Sequence, residues 1–303
     1  MQLLTYILLF PILWLISLLP FGILYLISDI VSFIIFHFIG YRKKIVLDNL
    51  KLAFPEKSTK ELLKIRRQFF THFTDVFMEM IKSITISEKN VHKHFIFEDL
   101  DVIHTLGKKG KSVILVGSHY ANWEWMVSMN NLIEHQAFAV GAPIGNKYFD
   151  KMMLKYRTKY GGNFVKPSRA RRTYVKNAEN GVLALNALVS DQSPQLRKTN
   201  YWAKFLNIKV PVHVGAEQIA KSLNQSIVFY EVKKVKRGYY TCTFRLLAEN
   251  PREYPDYQIT DIFLREVEKQ IKTAPQYYFW THKRFKHKDR FEEFIKNKPD
   301  YQF

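Results

Sequence analysis

The stretch Lys111-Ser-Val-Ile-Leu-Val-Gly117 runs directly into Ser118-His119-Tyr-Ala-Asn-Trp-Glu124. Its apolar residues are continuous rather than alternating, which predicts a short strand buried on both faces and ending at the glycine. A helical pattern resumes over residues 123–134. His119 therefore leaves the carboxyl end of a strand, and Glu124 opens the following helix. In open α/β sheets that edge is where active sites gather.

Working outward, residues 138–141 read as another strand, 147–160 as a helix and 182–189 as a strand that ends in Ser190-Asp191-Gln192. Residues 214–223 read as a helix, and 227–235 and 239–247 as a hairpin joined through Lys236-Arg237-Gly238. Upstream, Ser58 and Glu61 form a capping-box pattern. Leu62, Ile65, Phe69, Phe73, Phe77, Met80 and Ile84 follow at the spacing of one helical face. The alternation predicts an α/β fold with a central, largely parallel sheet flanked by helices. There is no internal repeat, low-complexity tract or linker, so residues 41–303 are expected to form one domain. The single cysteine, Cys242, excludes an internal disulfide and a multi-cysteine metal site. Its strand-like setting suggests a buried thiol. No histidine grouping has metal-ligand spacing, and no cofactor is expected.

Residues 1–41 contain no Lys or Arg and one acid, Asp29, whereas the remainder carries 46 basic against 26 acidic residues. From Leu3 to Ser28 no side chain is charged, and about 20 such residues cross a bilayer core. Residues 1–40 are therefore expected to be a membrane anchor, with a transmembrane helix over 3–28 and an interfacial segment over 30–39. Pro11 and Pro20 would kink or divide the run. Arg42, Lys43 and Lys44 follow at once, which places the body on the cytoplasmic face of a single-pass protein. So basic a body attracts polyanions: an anionic bilayer, an acidic carrier protein, a phosphorylated lipid or nucleic acid. A nucleic-acid binder would need an aromatic-and-basic module, and none is present.

A carboxylate can accept the N–H of one imidazole nitrogen and leave the other as a stronger base. Such a base can take the proton from a hydroxyl as that hydroxyl attacks a thioester. Alone, the H-x4-E pattern is weak, because a surface histidine near a helix start is common.

The surrounding blocks sharpen it. Gly117-Ser-His-Tyr-Ala-Asn-Trp-Glu124 resembles the Gly-x-His-x-Gly-Asn-Trp-Glu block of the late acyltransferases of lipid A biosynthesis, within the lysophospholipid acyltransferase-like superfamily. Tyr41-Arg-Lys-Lys-Ile-Val-Leu-Asp-Asn-Leu50 with Ala53-Phe-Pro-Glu56 resembles that family's segment after the anchor. Asp191-Gln192 resembles its Asp-Gln block, Gly215-Ala-Glu-Gln-Ile-Ala220 its Gly-Pro-x-x-x-Ala helix, and Pro275-Gln-Tyr-Tyr-Phe-Trp-Thr-His-Lys-Arg-Phe-Lys286 its closing block. The resemblance implies that His119 is the general base and Glu124 its orienting carboxylate. Asn122, Trp123, Arg157, Asp191 and Gln192 then contribute to substrate binding or to the turn, with Arg157 meeting a phosphate or the developing oxyanion. His282 and Arg284 are expected to pack rather than to react.

By the same resemblance, a fatty acyl chain passes from an acyl-carrier protein, or from coenzyme A, to a hydroxyl of a lipid A precursor. The setting is the bacterial inner membrane and its lipids, without nucleic acid as a partner. Another glycerophospholipid, glycolipid or aminolipid remains open as acceptor. Two departures bear on the site: Ala121 stands where the family usually has Gly, and the stretch after Gln192 is more polar and basic than usual.

Overall fold

The computed structural model describes residues 1–296. Its apolar start is not one helix. α1 (Gln2–Leu18) ends before Pro20, whose missing N–H and restraint on the preceding residue stop a helix. Pro11 is accommodated inside it. α2 (Phe21–Ile34) follows and continues through one π-turn, Ile35–Ile39, to Gly40. Among the described residues the helix long and apolar enough to cross a membrane is thus Phe21–Ile39, and the expected span 3–28 is divided between α1 and α2. Residues 30–39 continue that helix rather than starting a new one.

Both helices are also tied to the body. Lys82 Nζ donates to the carbonyls of Ser17 (2.9 Å) and Leu19 (2.7 Å). Ser28 Oγ donates to Asp75 (2.8 Å), and Arg237 bridges Asp29 and Asp75.

The body runs α3 (Lys43–Ala53), α4 (Thr59–Lys82), α5 (Glu88–His94), β1 (Phe95–Phe97), α6 (Asp101–Lys108), β2 (Val113–Gly117), a 3-10 stretch (Trp123–Leu132), β3 (Gln136–Val140), α7 (Lys147–Arg157), β4 (Asn163–Val165), α8 (Ala170–Glu179) and β5 (Ala184–Val189). It continues through β6 (Trp202–Phe205), β7 (Ile208–Pro211), α9 (Gly215–Leu223), β8 (Ser226–Lys236), β9 (Tyr239–Ala248), α10 (Gln258–Thr273) and α11 (Phe291–Lys296). Seven strands form one sheet in the order β1-β9-β8-β2-β5-β3-β4. Neighbours are parallel except the β8–β9 hairpin. β6 and β7 form a separate antiparallel pair.

Every residue of β2 is buried, as its unbroken apolar run requires. The short β1, β4, β6 and β7 lacked a legible pattern. Three or four residues are too few to show an alternation. Ser58 and Glu61 do form the reciprocal cap of α4, worth about 1 kcal/mol. That helix buries Leu62, Ile65, Phe69 and Phe73, but it also buries His72, Asp75 and Glu79 and leaves Phe77 exposed. Cys242 is buried on β9 beside Met126, and burial holds its thiol well above the ordinary range.

At the end of β2 the backbone passes so close to Tyr230 that a Cβ on Gly117 would fall inside its ring. Gly117→Ala should therefore overpack the sheet edge and cost about 1–3 kcal/mol. A denaturation midpoint equal to that of the wild type would show that Tyr230 does not press on this position.

Candidate active site

The register of two neighbouring strands assembles the site. β2 and β5 are parallel, with Gly117 opposite Val189, and the ladder extends by one bond from Ser190 N–H to Gly117 O (3.2 Å). His119 and Asp191 each lie two residues beyond that pair, at the same carboxyl edge. His119 Nδ1–H donates to Asp191 Oδ1 at 2.7 Å. The Asp191 side chain is 1% exposed, whereas that of His119 is 23% exposed and borders a cavity. With Nδ1 engaged, Nε2 is the nitrogen left for chemistry.

This corrects the expected pairing. Glu124 does not orient His119. Its carboxylate accepts two hydrogen bonds from Arg157, from Nη2 at 2.8 Å and from Nε at 3.2 Å. The reason is local geometry. Ala121 sits in the left-handed region (φ 49°), which turns the chain sharply after His119. Asn122 then caps the 3-10 stretch through Oδ1, which accepts the Trp125 N–H (3.1 Å). Glu124 is thereby carried toward α7, where Arg157 is the last residue. The left-handed turn also explains why glycine suits position 121: alanine pays about 1–2 kcal/mol for that conformation.

Two expected substrate contacts are likewise relocated. Asn122 is fully buried and does not line the cavity; its amide Nδ2 donates to Glu79 (2.7 Å). Asp191 is equally withdrawn, and its contact is His119. Trp123, Arg157 and Gln192 do line the cavity, together with His119 and Glu124. Trp123 and Phe279 lie edge-on to one another and flank the His119 ring at 5.3 and 5.8 Å. The Gln192 amide lies 3.4 Å from His119 Nδ1, too far to rival Asp191.

Electrostatics follow from this packing. Burial alone would lower the His119 pKa, but the Asp191 charge and hydrogen bond, with help from Glu124, leave it raised above the ordinary 6.5. Burial would raise the Asp191 pKa, and the imidazole more than compensates, leaving it lowered. The pair thus favours imidazolium–carboxylate when a proton arrives at Nε2.

The cavity encloses about 600 Å³ and is mostly apolar, with Leu115, Met126, Met129, Leu185 and Ile219 in its wall. Sequence reasoning missed His213, which also lines it. Burial and then Arg284 lower the His213 pKa. The strand β7 that delivers it is short, and this left no signal.

The closing block frames the site from outside. His119 O accepts from Phe279 N (3.1 Å), and Ala121 N donates to Tyr277 O (3.0 Å). Arg284 is buried, donates to Pro211 O and faces the Phe205 ring. Burial pushes the His282 pKa down to about 4, and its neutral Nε2 accepts the Ser193 N–H (3.0 Å). Both residues pack, as expected. Among the described residues no group of three or more His, Cys, Asp or Glu side chains could hold a metal ion.

The family model for bacterial lipid A biosynthesis acyltransferases matches residues 2–287. The chain belongs to this family. Relatives include the lipid A biosynthesis palmitoleoyltransferase of Escherichia coli strain K12, 22% identical over 277 residues, covering 91% of this chain and 89% of the relative. The lauroyltransferase of the same strain is 22% identical over 276 residues with the same coverage. A Shigella flexneri lipid A biosynthesis acyltransferase is 22% identical over 277 residues, again with that coverage. Membership makes this protein an acyltransferase that transfers an acyl group to oxygen in lipid A biosynthesis.

Replacing Asp191 with Asn removes the anion that favours imidazolium and leaves the burial that opposes it. In Asp191→Asn the His119 ring should therefore titrate at lower pH than in the wild type, read by NMR of its imidazole protons. An unchanged midpoint would mean that Asp191 does not control this histidine.

Proposed function

We propose that the protein moves a fatty acyl chain from an acyl-carrier-protein thioester to a hydroxyl on a lipid A precursor, at the cytoplasmic face of the inner membrane. One observation carries the reading. A histidine with its Nδ1 committed to a buried carboxylate lines a mostly apolar cavity of about 600 Å³ beside an arginine held by a carboxylate. The cavity suits an acyl chain, since binding sites of this size bury most of an apolar ligand.

In this mechanism His119 Nε2 accepts the hydroxyl proton as that oxygen attacks the thioester carbonyl. The C–O bond forms, and a tetrahedral oxyanion results. As it collapses the C–S bond breaks, and the departing thiolate takes the proton back from Nε2. Asp191 stabilises the imidazolium between these steps. Glu124 holds Arg157 in the cavity wall, where its guanidinium can meet the oxyanion or a phosphate of the acceptor. Glu124 is thus proposed to act through Arg157. Trp123 and Gln192 border the reacting groups and are proposed to position substrate. No enzyme nucleophile is used: Ser118 is buried, and its hydroxyl donates to Gln270 (2.9 Å).

The basic body favours an acidic carrier protein and a phosphorylated acceptor. Arg171, at the cavity lining, is one such charge close to the chemistry. The outward apolar side chains of α1 and α2, such as Leu8, Leu15, Leu26 and Phe33, suit lipid contact.

Incubating the full-length protein with an acyl-carrier thioester and a lipid A precursor should add one acyl chain to the precursor, seen by mass spectrometry and removed by mild base as an ester. Parallel reactions with acyl-coenzyme A decide the donor. Acylation of a glycerophospholipid in preference to the precursor would overturn the acceptor assigned here.

A further inference from the structure

Glu79 is a fully buried carboxylate outside the cavity. It lies on α4 with no exposed surface. Its Oε1 accepts from Tyr25 OH (2.8 Å) and Tyr240 OH (3.0 Å), and its Oε2 accepts from Asn122 Nδ2 (2.7 Å) and again from Tyr240 OH (2.9 Å). Four elements therefore meet on one carboxylate: α2 through Tyr25, α4 itself, β9 through Tyr240, and the turn after β2 through Asn122.

Burial pushes the Glu79 pKa up to about 7 against the lowering influence of Lys234 and the hydrogen bonds. A buried carboxylate is seldom the cheapest way to fill such a space, because an apolar group of the same shape avoids the desolvation cost. What the carboxylate supplies is direction: two oxygens that fix three donors.

The donor that matters for chemistry is Asn122. Its Oδ1 caps the Trp125 N–H while its Nδ2 is held by Glu79. The Trp125 indole N–H is also held to α4, through Ser83 Oγ (3.0 Å). Between His119 and Glu124 the chain turns through a residue at positive φ, and such a turn persists only where its surroundings over-determine it. The Tyr277 carbonyl holds it on one side, and Glu79 holds it from beneath.

We propose that Glu79 is a positioning residue for acyl transfer: through Asn122 it fixes the turn that separates His119 from Glu124, and through Tyr25 it ties that turn to the apolar α2. The proposal rests on the reading of His119 as the base. Glu79 touches no substrate. It acts by holding the His119 ring and the Glu124–Arg157 pair in their mutual geometry. A consequence is that the seating of α2 on the body and the alignment of the reacting groups are one structural event.

A reversal of hydrogen-bond polarity tests this. Asn122→Asp replaces the donor to Glu79 with a second carboxyl group, which repels it once both ionise, so the assay is run above the pH of about 7 at which Glu79 loses its proton; the acceptor for Trp125 N–H is preserved. Adding Glu79→Gln supplies an amide whose NH2 donates to the new carboxylate and whose oxygen accepts from Tyr25 and Tyr240. With full-length purified protein and a thioester donor, Asn122→Asp should lower kcat on the order of ten-fold. Its donor KM should stay within about two-fold of wild type, since the cavity is untouched. The double variant should recover most of that kcat. A double variant no better than Asn122→Asp, or an Asn122→Asp variant with wild-type kcat, overturns the proposal. If Asn122→Asp fails to fold, the double variant's kcat still decides: rescue requires it to exceed that of Glu79→Gln alone and to approach wild type, and a value no higher than that of Glu79→Gln overturns the proposal. His119→Ala assayed alongside separates failure of this proposal, in which it stays inactive, from failure of the base assignment, in which it stays active.

Discussion

Asp191 is buried, and burying a carboxylate is unfavourable unless a cation or donor compensates. The compensation comes from His119, and the two meet because β2 and β5 are parallel neighbours whose ladder is still running at Gly117 and Val189. Both chains then leave the sheet at the same edge, at the same height. The rest of the site follows from this meeting. The imidazole is fixed by its Nδ1 at the wall of a cavity that lies between the sheet edge and α7 to α9.

A second constraint is that a chain leaving a strand at His119 must turn at once to begin a helical stretch. Ala121 absorbs that turn at positive φ. Tyr277 and Phe279 of the closing segment and Glu79 of α4 all bond to it. Segments distant in sequence, near residues 79 and 278, thus converge on four residues of the site. The same α4 carries Asp75 and Lys82, which receive α2 and the end of α1. The apolar amino-terminal helices and the reacting groups share one scaffold.

Much of this was legible in residue order. The unbroken apolar run of β2, the capping box at Ser58 and Glu61 and the β8–β9 hairpin each carry a local signal, and each formed. His119 and the strand end at Asp191 were also visible. Their pairing was not, because H-x4-E places Glu124 nearer in sequence, and only the β2–β5 register brings Asp191 nearer in space. Arg157 was legible only through the resemblance, as a group to meet a phosphate or oxyanion, and its tie to Glu124 depends on the turn at Ala121. Asn122 was legible as a residue of the turn, but its tie to Glu79 was hidden: a buried carboxylate on an otherwise amphipathic helix looks like part of a solvated face until the partner elements are in place. Pro20 divides the apolar run, so the candidate membrane helix is Phe21–Ile39.

Membership of the lipid A acyltransferase family gives the reaction class, and the route proposed here needs one base and no covalent enzyme intermediate. The most direct measurement is the turnover of His119→Ala with a thioester donor and a lipid A precursor. Loss of the base should reduce kcat by about two to four decades while the protein stays folded. Turnover close to that of the wild type would contradict the account.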